Sequence, residues 1–506
     1  MFAVCAVRCA NMKRAQQVIL AGVLFFGEIM DQTKPKSLRR RFAAFFSGSD
    51  IDMCHGPVAG KLFLYALPLM LSGILQLCFN AADTIVVGRF ESGNALAAVG
   101  STGSLINLIV NLLLGLSVGI SVNVAHAWGA KNDESVRRIV HTAMVTAVIG
   151  GVVVGMIGFF GCRTFLAWMD TPDNVIELAA LYMKIYFLGM PACMVYNFGA
   201  AILRSSGDTQ HPMLFLIAAG VINVILNLIT VIFFHMGVAG VAIATVVSQL
   251  VSAALVVRFL MRQDNCCRLI LRELRIHSQS LLAILRIGIP AGFQSSVFSI
   301  SNVLIQSSIN SFGSVAMEGN TAAGNLEGFI YISMNSFYHA SLTFIGQNVG
   351  ARQYKRIRRI LLTCILLVSV VGLVIGWAMY FFRIPLLTIY ETGSAGMLEY
   401  GAERMSVIAT TYFLCGIMEV LTGALRGLGA SFIPMLISLV GACLSRVVWI
   451  YTVFAAHRTL PTLYLSWPMS WLLTVCIQIV AFILLYRRFL RKHRGEAPLE
   501  ETAAQN

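Results

Sequence analysis

Asn80-Ala81-Ala82-Asp83-Thr84-Ile85-Val86-Val87-Gly88-Arg89 closes an apolar stretch, Leu62 to Ala82, that contains no charged residue. A helix of about 20 residues crosses the ~30 Å hydrocarbon core of a bilayer. Asp83 therefore falls between one and two turns inside the far end of a spanning helix. An ionised side chain deep in such a helix costs roughly 2.5–3.5 kcal/mol on insertion scales, which marks it as a functional candidate. Two readings stay open. The carboxylate binds and releases a cation during a transport cycle, or it is an interfacial group that is hydrated or caps the next turn.

The rest of the chain supports the membrane reading. Of its 506 residues 58% are hydrophobic and 12% charged, against about 25% charged in a soluble domain. The net charge of +14 is spread over many loops, which argues against a nucleic-acid surface. The twelve cysteines are scattered without metal-ligand spacing and read as small apolar residues of a bundle. The Cys266-Cys267 pair in a basic loop is a weak lipidation signal. The nine histidines have no ligand spacing either, so no structural metal is expected. The glycines at 147–161 lack the lysine of a phosphate loop. No nucleophile–base pair suggests an enzyme, and no cofactor is expected.

Twelve spanning segments are predicted, at roughly 62–88, 94–128, 136–161, 175–203, 211–234, 237–261, 284–311, 317–348, 357–382, 401–426, 431–456 and 461–486. Thirty of the 37 Lys and Arg fall on one side of this arrangement. Five fall on the other: Arg89, Arg163, Arg383, Arg404 and Arg458. Positive charge stays in the cytoplasm, so both termini are assigned there. Residues 1–55 read as a basic, disordered cytoplasmic extension. The short apolar run Gln17 to Gly27 resembles a signal peptide but has no clear small-x-small cleavage site. The lobes are assigned to 56–262 and 284–490, joined by a linker at 263–283 and followed by a tail at 491–506. Leu269 to Leu282 suit an amphipathic helix on the cytoplasmic surface.

The chain repeats itself. Gly129-Ala130 and Arg137-Arg138-Ile139 recur as Gly350-Ala351 and Arg358-Arg359-Ile360. Leu203-Arg204, Gly207 and Pro212-Met213 recur as Leu425-Arg426, Gly429 and Pro434-Met435. Pro68 recurs as Pro290, at an offset of 222. Each unit contains six spans, an even number, so the halves share one orientation. The expected fold is all-α, with two six-helix lobes related by a pseudo-twofold along the membrane normal and a cavity between them.

These motifs resemble those of the multidrug and toxic compound extrusion (MATE) family. The likeness rests on Leu-Arg-(x)2-Gly after the fourth and tenth spans, Gly-Ala-(x)6-Arg-Arg after the second and eighth, and Asp83-Thr84 in the first. It covers residues 56 to about 490. The resemblance implies a twelve-helix exporter in the bacterial inner membrane, functional as a monomer. Such a protein exchanges organic cations or other amphipathic small molecules for protons or sodium ions. It also implies that Asp83 belongs to a polar cation site in the N-terminal lobe. The Asn-(x)3-Asp of that site reads Asn223-(x)3-Asn227 here, so a second acid is missing. Thr245, in Gly240-Val-Ala-Ile-Ala-Thr245, could add a hydroxyl. Phe298 and Cys415 stand where a NorM-like C-terminal cation site would have acids, with Glu419 one turn from Cys415.

Other polar groups fall inside spans. Lys184 could reach Asp83 or snorkel outward. Glu327 and Arg446 lie at similar depth, and an ion pair between them is the leading expectation. Glu419 could face the cavity or pair with Arg426. Asn197, Gln294 and Asn302 could line the cavity or hold helices together. Alternatives to the exporter are a flippase for a lipid-linked precursor and a membrane-embedded enzyme. Twelve spans and few interior cations favour the exporter over the flippase.

The charge asymmetry makes orientation testable. In a cysteine-free background, a cysteine at Ser135 is expected to label from the cytoplasm and one at Ser92 from outside. The reverse pattern would overturn the topology.

Overall fold

The computed structural model describes residues 51–90, 93–169, 171–390 and 396–493. Ser92, the first 50 residues and the tail from 494 lie outside the described residues, as does most of the expected extension. The N-terminal lobe has α1 (Val58–Phe90), α2 (Gly93–Gly129), α3 (Asp133–Trp168), the two-piece α4 (Asp173–Leu188 and Met190–Ser206), α5 (Gln210–Phe233) and α6 (Gly237–Met261). The C-terminal lobe has α7 (Ser278–Asn310), α8 (Ser314–Gly350), α9 (Tyr354–Phe381), α10 (Met397–Gly427), α11 (Phe432–Phe454) and α12 (Leu460–Lys492). No strand occurs among the described residues. Ten of these helices are long and apolar enough to cross a bilayer, and the two pieces of α4, bent by 48°, make an eleventh span. Pro191 follows the bend at Gly189; it has no N–H to continue the hydrogen-bond ladder.

The remaining helix, α8, is less apolar because it carries polar side chains that bond to neighbouring helices. Its Thr343 Oγ1 accepts from Tyr65 Oη, its Gln347 Nε2 donates to Ser205 O, and its Ser341 Oγ donates to Val420 O. These bonds tie α8 to both lobes and satisfy groups that would be costly to bury alone.

The repeated motifs are backbone devices. After Leu203-Arg204, Gly207 takes φ 118° and ends α4, and the Asp208 N–H bonds back to Leu203 O at 2.9 Å. After Leu425-Arg426, Gly429 takes φ 87° and the Ala430 N–H bonds to Leu425 O at 3.0 Å. This is the same left-handed helix stop twice, and glycine fits it because it has no Cβ. Likewise the turns after Gly129-Ala130 and Gly350-Ala351 carry Lys131 at φ 52° and Arg352 at φ 59°.

The lobes meet mainly through α2 against α7 and α8, and α1 against α8 and α9. Glycines allow the backbones to touch. A Cβ on Gly115 would overlap the Gly292 backbone, and one on Gly119 would overlap Ile284 O. Close approach through small residues is a general means of packing helices in membranes. These contacts lie toward the basic-loop ends of the helices, so that side of the interface is shut. His126 Nε2, hydrogen-bonded to Gly427 O at 2.7 Å, adds to the seal.

Two expectations about flanking segments need correction. Residues 51–55 belong to the packed body, not to a disordered extension. Met53 is buried, its carbonyl accepts from Asn348 Nδ2, and Arg356 donates to His55 O and Gly56 O. Burial pushes the Asp52 carboxyl up. The Cys54 amide and the charges of His55 and Lys61 outweigh that and hold it below its ordinary value. The linker is not an amphipathic helix either. Leu271–Glu273 form one short turn and α7 already starts at Ser278. The Ile270 and His277 amides donate to His141 Nε2 and Thr142 Oγ1 of α3. Those side chains satisfy an extended backbone that a helix would have bonded internally. Cys267 is buried, which removes it as a lipidation site.

Gly115→Val is expected to strain the shut side by about 1–3 kcal/mol, as overpacking does. A cysteine at Val118, one turn further toward the basic-loop side, should then label with a membrane-impermeant maleimide from that side. Unchanged labelling at normal expression would show that the contact does not hold the lobes closed.

Candidate functional site

A cavity of about 1000 Å³ lies between the lobes. Its closed end carries Arg204 and Arg426, near the C-terminal ends of α4 and α10. Its N-terminal-lobe wall carries Asp83, Asn223, Thr245, Tyr182 and Tyr186, and its C-terminal-lobe wall carries Glu327, Tyr331, Glu419, Arg446 and Trp467. Aromatic faces and separated polar groups suit an amphipathic guest.

Asp83 sits on α1 facing α5. Asn227 Nδ2 donates to Asp83 Oδ1 in a short hydrogen bond. The same amide also donates to Asn223 Oδ1 at 3.3 Å, the i, i+4 partner on its own helix. Asn227 Oδ1 is buried without a partner. A buried carbonyl oxygen left unmade is costly and calls for a donor or a cation. Thr245 lines the same wall but gives its hydroxyl proton to Val241 O of its own helix at 3.0 Å, and it makes no hydrogen bond to Asp83. Gln249 Oε1, one turn further along α6, is a second buried oxygen without a partner. Immediately after Asn227 and Leu228, α5 widens into a π-helical turn, Ile229–Phe233. Such turns are frequent at functional sites.

The duplicated lobe does not repeat this chemistry. At the 222-residue offset, Asp83, Asn223, Asn227 and Thr245 fall on Ile305, Ser445, Trp449 and Trp467. The acid therefore has no counterpart, although a π-helical turn recurs at Ile450–Phe454.

The expected Glu327–Arg446 pair is not formed. Glu327 pairs with Arg404 through two bonds, Nε to Oε1 at 2.9 Å and Nη2 to Oε2 at 2.8 Å. Arg404 Nη1 also donates to Asn320 Oδ1, and Asn320 Nδ2 donates to Tyr464 Oη. Arg404 counts among the five outward basic residues of the charge asymmetry, yet α10 begins at Met397, so it lies two turns inside the helix. From there its planar fork matches the carboxylate bidentately. Arg446 instead donates to Ser470 Oγ and Asn302 Oδ1. The Trp467 ring lies 5.2 Å from the Arg404 guanidinium and 5.6 Å from that of Arg446.

Lys184 does not meet Asp83. Its side chain is exposed, about half a turn round α4 from the cavity-facing Tyr182 and Tyr186. Glu419 lines the cavity, with no hydrogen bond or salt bridge among the described residues, so it does not pair with Arg426. Gln294 lines the cavity and is also structural, accepting from Arg426 and donating to Ser438. Asn197 and Asn302 line it too. The sequence reading missed Arg404 as a partner. It also missed Asn107 and Asn111 on α2, whose i, i+4 spacing could have flagged them as it did Asn223 and Asn227.

A model of the MatE family matches residues 68–229 and 290–452, one match in each lobe. The chain is 28% identical over 387 residues to "Probable multidrug resistance protein YoeA" of Bacillus subtilis (strain 168), covering 75% of this chain and 83% of that protein. It is 27% identical over 425 residues to "Probable multidrug resistance protein YpnP" of the same strain, covering 84% and 95%. Its fold matches a solved outward-facing multidrug resistance MATE family transporter of the MOP superfamily. The TM-score is 0.82 at 20% identity, over 88% of this chain and 99% of that one.

Breaking one side of the buried pair should cost about 3–5 kcal/mol. Glu327→Gln alone is expected to lower folded yield and melting temperature, and Glu327→Gln with Arg404→Gln to recover part of the loss. Adding Arg446→Gln to Glu327→Gln should give additive damage. Recovery with Arg446 instead of Arg404 would contradict this pairing.

Proposed function

The chain belongs to the MatE family of membrane transporters, and from that premise we propose that it is a secondary exporter of amphipathic compounds, driven by cation exchange at Asp83. The observation that carries this reading is Asp83, the one carboxylate that the N-terminal-lobe wall of the cavity carries among the described residues, bonded to Asn227. Asn223, Thr245 and the unpartnered Asn227 oxygen supply neutral oxygens around it. One carboxylate with neutral oxygens suits a sodium ion, and the same set can hydrogen-bond a protonated acid. The coupling ion is therefore a proton or sodium.

Neutralising Asp83 removes the charge to which Asn227 donates. The adjacent π-helical turn gives α5 a place to change its hydrogen-bond register in response. The shut basic-loop side makes this the outward-open state of an alternating-access cycle, in a bacterial inner membrane with both termini cytoplasmic. Coupling requires cation and substrate to bind the two states with different affinity. The protein works as a monomer, with the guest lying against the aromatic walls of the cavity.

Asp83→Asn keeps the shape and removes a charge from the membrane, so normal expression is expected. Gradient-driven efflux in vesicles, with pH and sodium gradients applied separately, should fall by roughly tenfold or more, within the usual range of coupling energies. Substrate binding should survive. Full efflux by a normally expressed variant would remove Asp83 from the coupling mechanism.

A further inference from the structure

The closed end of the cavity is positively charged. Arg204 and Arg426 occupy matching places in the two lobes, and Arg446 faces the same cavity. Each carries a planar guanidinium fork of five N–H donors. Glu327 neutralises Arg404, but among the described residues these three arginines have no carboxylate within ion-pair distance. Arg426 is only 6% exposed. It donates to Tyr338 Oη at 2.6 Å and Gln294 Oε1 at 2.8 Å, and its Nε has no partner. Arg204 gives its Nε to Ala200 O of its own helix, and its terminal nitrogens have no hydrogen bond. His339 lies within electrostatic reach of both Arg204 and Arg426, so arginines from different lobes converge on one region.

A purely structural arginine in the last turn of a helix would bond the free carbonyls there. Arg426 instead reaches two neighbouring helices, lines the cavity and leaves its buried Nε without a partner. Guanidinium forks are matched by planar oxyanions, which accept two parallel bonds. An organic cation with no acidic group would meet repulsion at this end.

Resting on the export reading above, we propose that the arginine end of the cavity is an oxyanion subsite. The exported compounds then include amphiphiles bearing a carboxylate or phosphate group, held by Arg204 and Arg426 while the apolar body lies against the aromatic wall.

The test compares rhodamine B, which has a free carboxylate, with its methyl ester, a cation of nearly the same size. Fluorescence polarisation with purified protein in phosphatidylcholine nanodiscs should show rhodamine B binding about tenfold more tightly, equivalent to one charge-assisted contact. Arg204→Gln should remove the preference while leaving ester affinity unchanged, and Arg204→Lys should restore much of it. Loss of rhodamine B binding, but not ester binding, on adding phosphatidylglycerol would also support the subsite and identify a lipid phosphate as an occupant. Equal affinity of the two probes for the wild type, tighter ester binding, or binding of neither overturns the proposal. So does an Arg204→Gln protein that weakens both probes alike. Gradient-driven efflux of the ester is measured in parallel. Efflux without an acid preference sinks the subsite and leaves the export reading standing. Absence of efflux with the preference intact does the opposite.

Discussion

An ionised side chain inside a bilayer-spanning bundle needs either a fixed partner or contact with water, because the hydrocarbon offers neither. Several charges within these helices show the division. Glu327 and Arg404 satisfy one another, with Asn320 and Tyr464 extending the network. Lys184 leaves the bundle altogether. Asp83, Glu419, Arg204, Arg426 and Arg446 remain at the cavity, where water or a guest can reach them. The paired charges fix α8 against α10, and the others keep contact with the cavity.

The duplication operates at a different level from the chemistry. Both halves use the same glycine helix stop, the same left-handed turn before the third helix, and a π-helical turn at matching positions in α5 and α11. These devices set backbone direction, and a pseudo-symmetric fold requires them twice. The polar cluster around Asp83 is not repeated, since Ile305, Trp449 and Trp467 stand where Asp83, Asn227 and Thr245 would be. A symmetric frame thus holds an asymmetric cavity, with a carboxylate on one wall and a guanidinium–indole stack on the other.

Closure of the basic-loop side depends on backbone contact at Gly115, Gly119, Gly288 and Gly292. Such an interface excludes water without large side chains, so it can separate without uncovering a bulky apolar surface. Residues 51–56 reinforce it. Met53 O takes a hydrogen bond from α8, and Arg356 of α9 holds His55 and Gly56.

The sequence by itself determined the helices and the two-lobe duplication. Those follow from local quantities: apolar length and motifs recurring at a fixed offset. It also brought Asp83 and Asn227 under suspicion, because an acid and an asparagine inside spans are costly wherever they point. Only the tertiary structure decided the partners. Arg404 was passed over because the charge count grouped it with the outward basic residues, although it falls inside the predicted 401–426 span and two turns inside α10, which begins at Met397. Depth along the chain suggested Arg446 for Glu327, but pairing depends also on the rotation of each helix about its own axis. The same rotation turned Lys184 away from Asp83. The linker and residues 51–55 found their conformation in side chains of α3, α8 and α9, far away in sequence. Local pattern fixes where a helix runs, whereas packing fixes which face it shows, and the chemistry of this cavity depends on the faces.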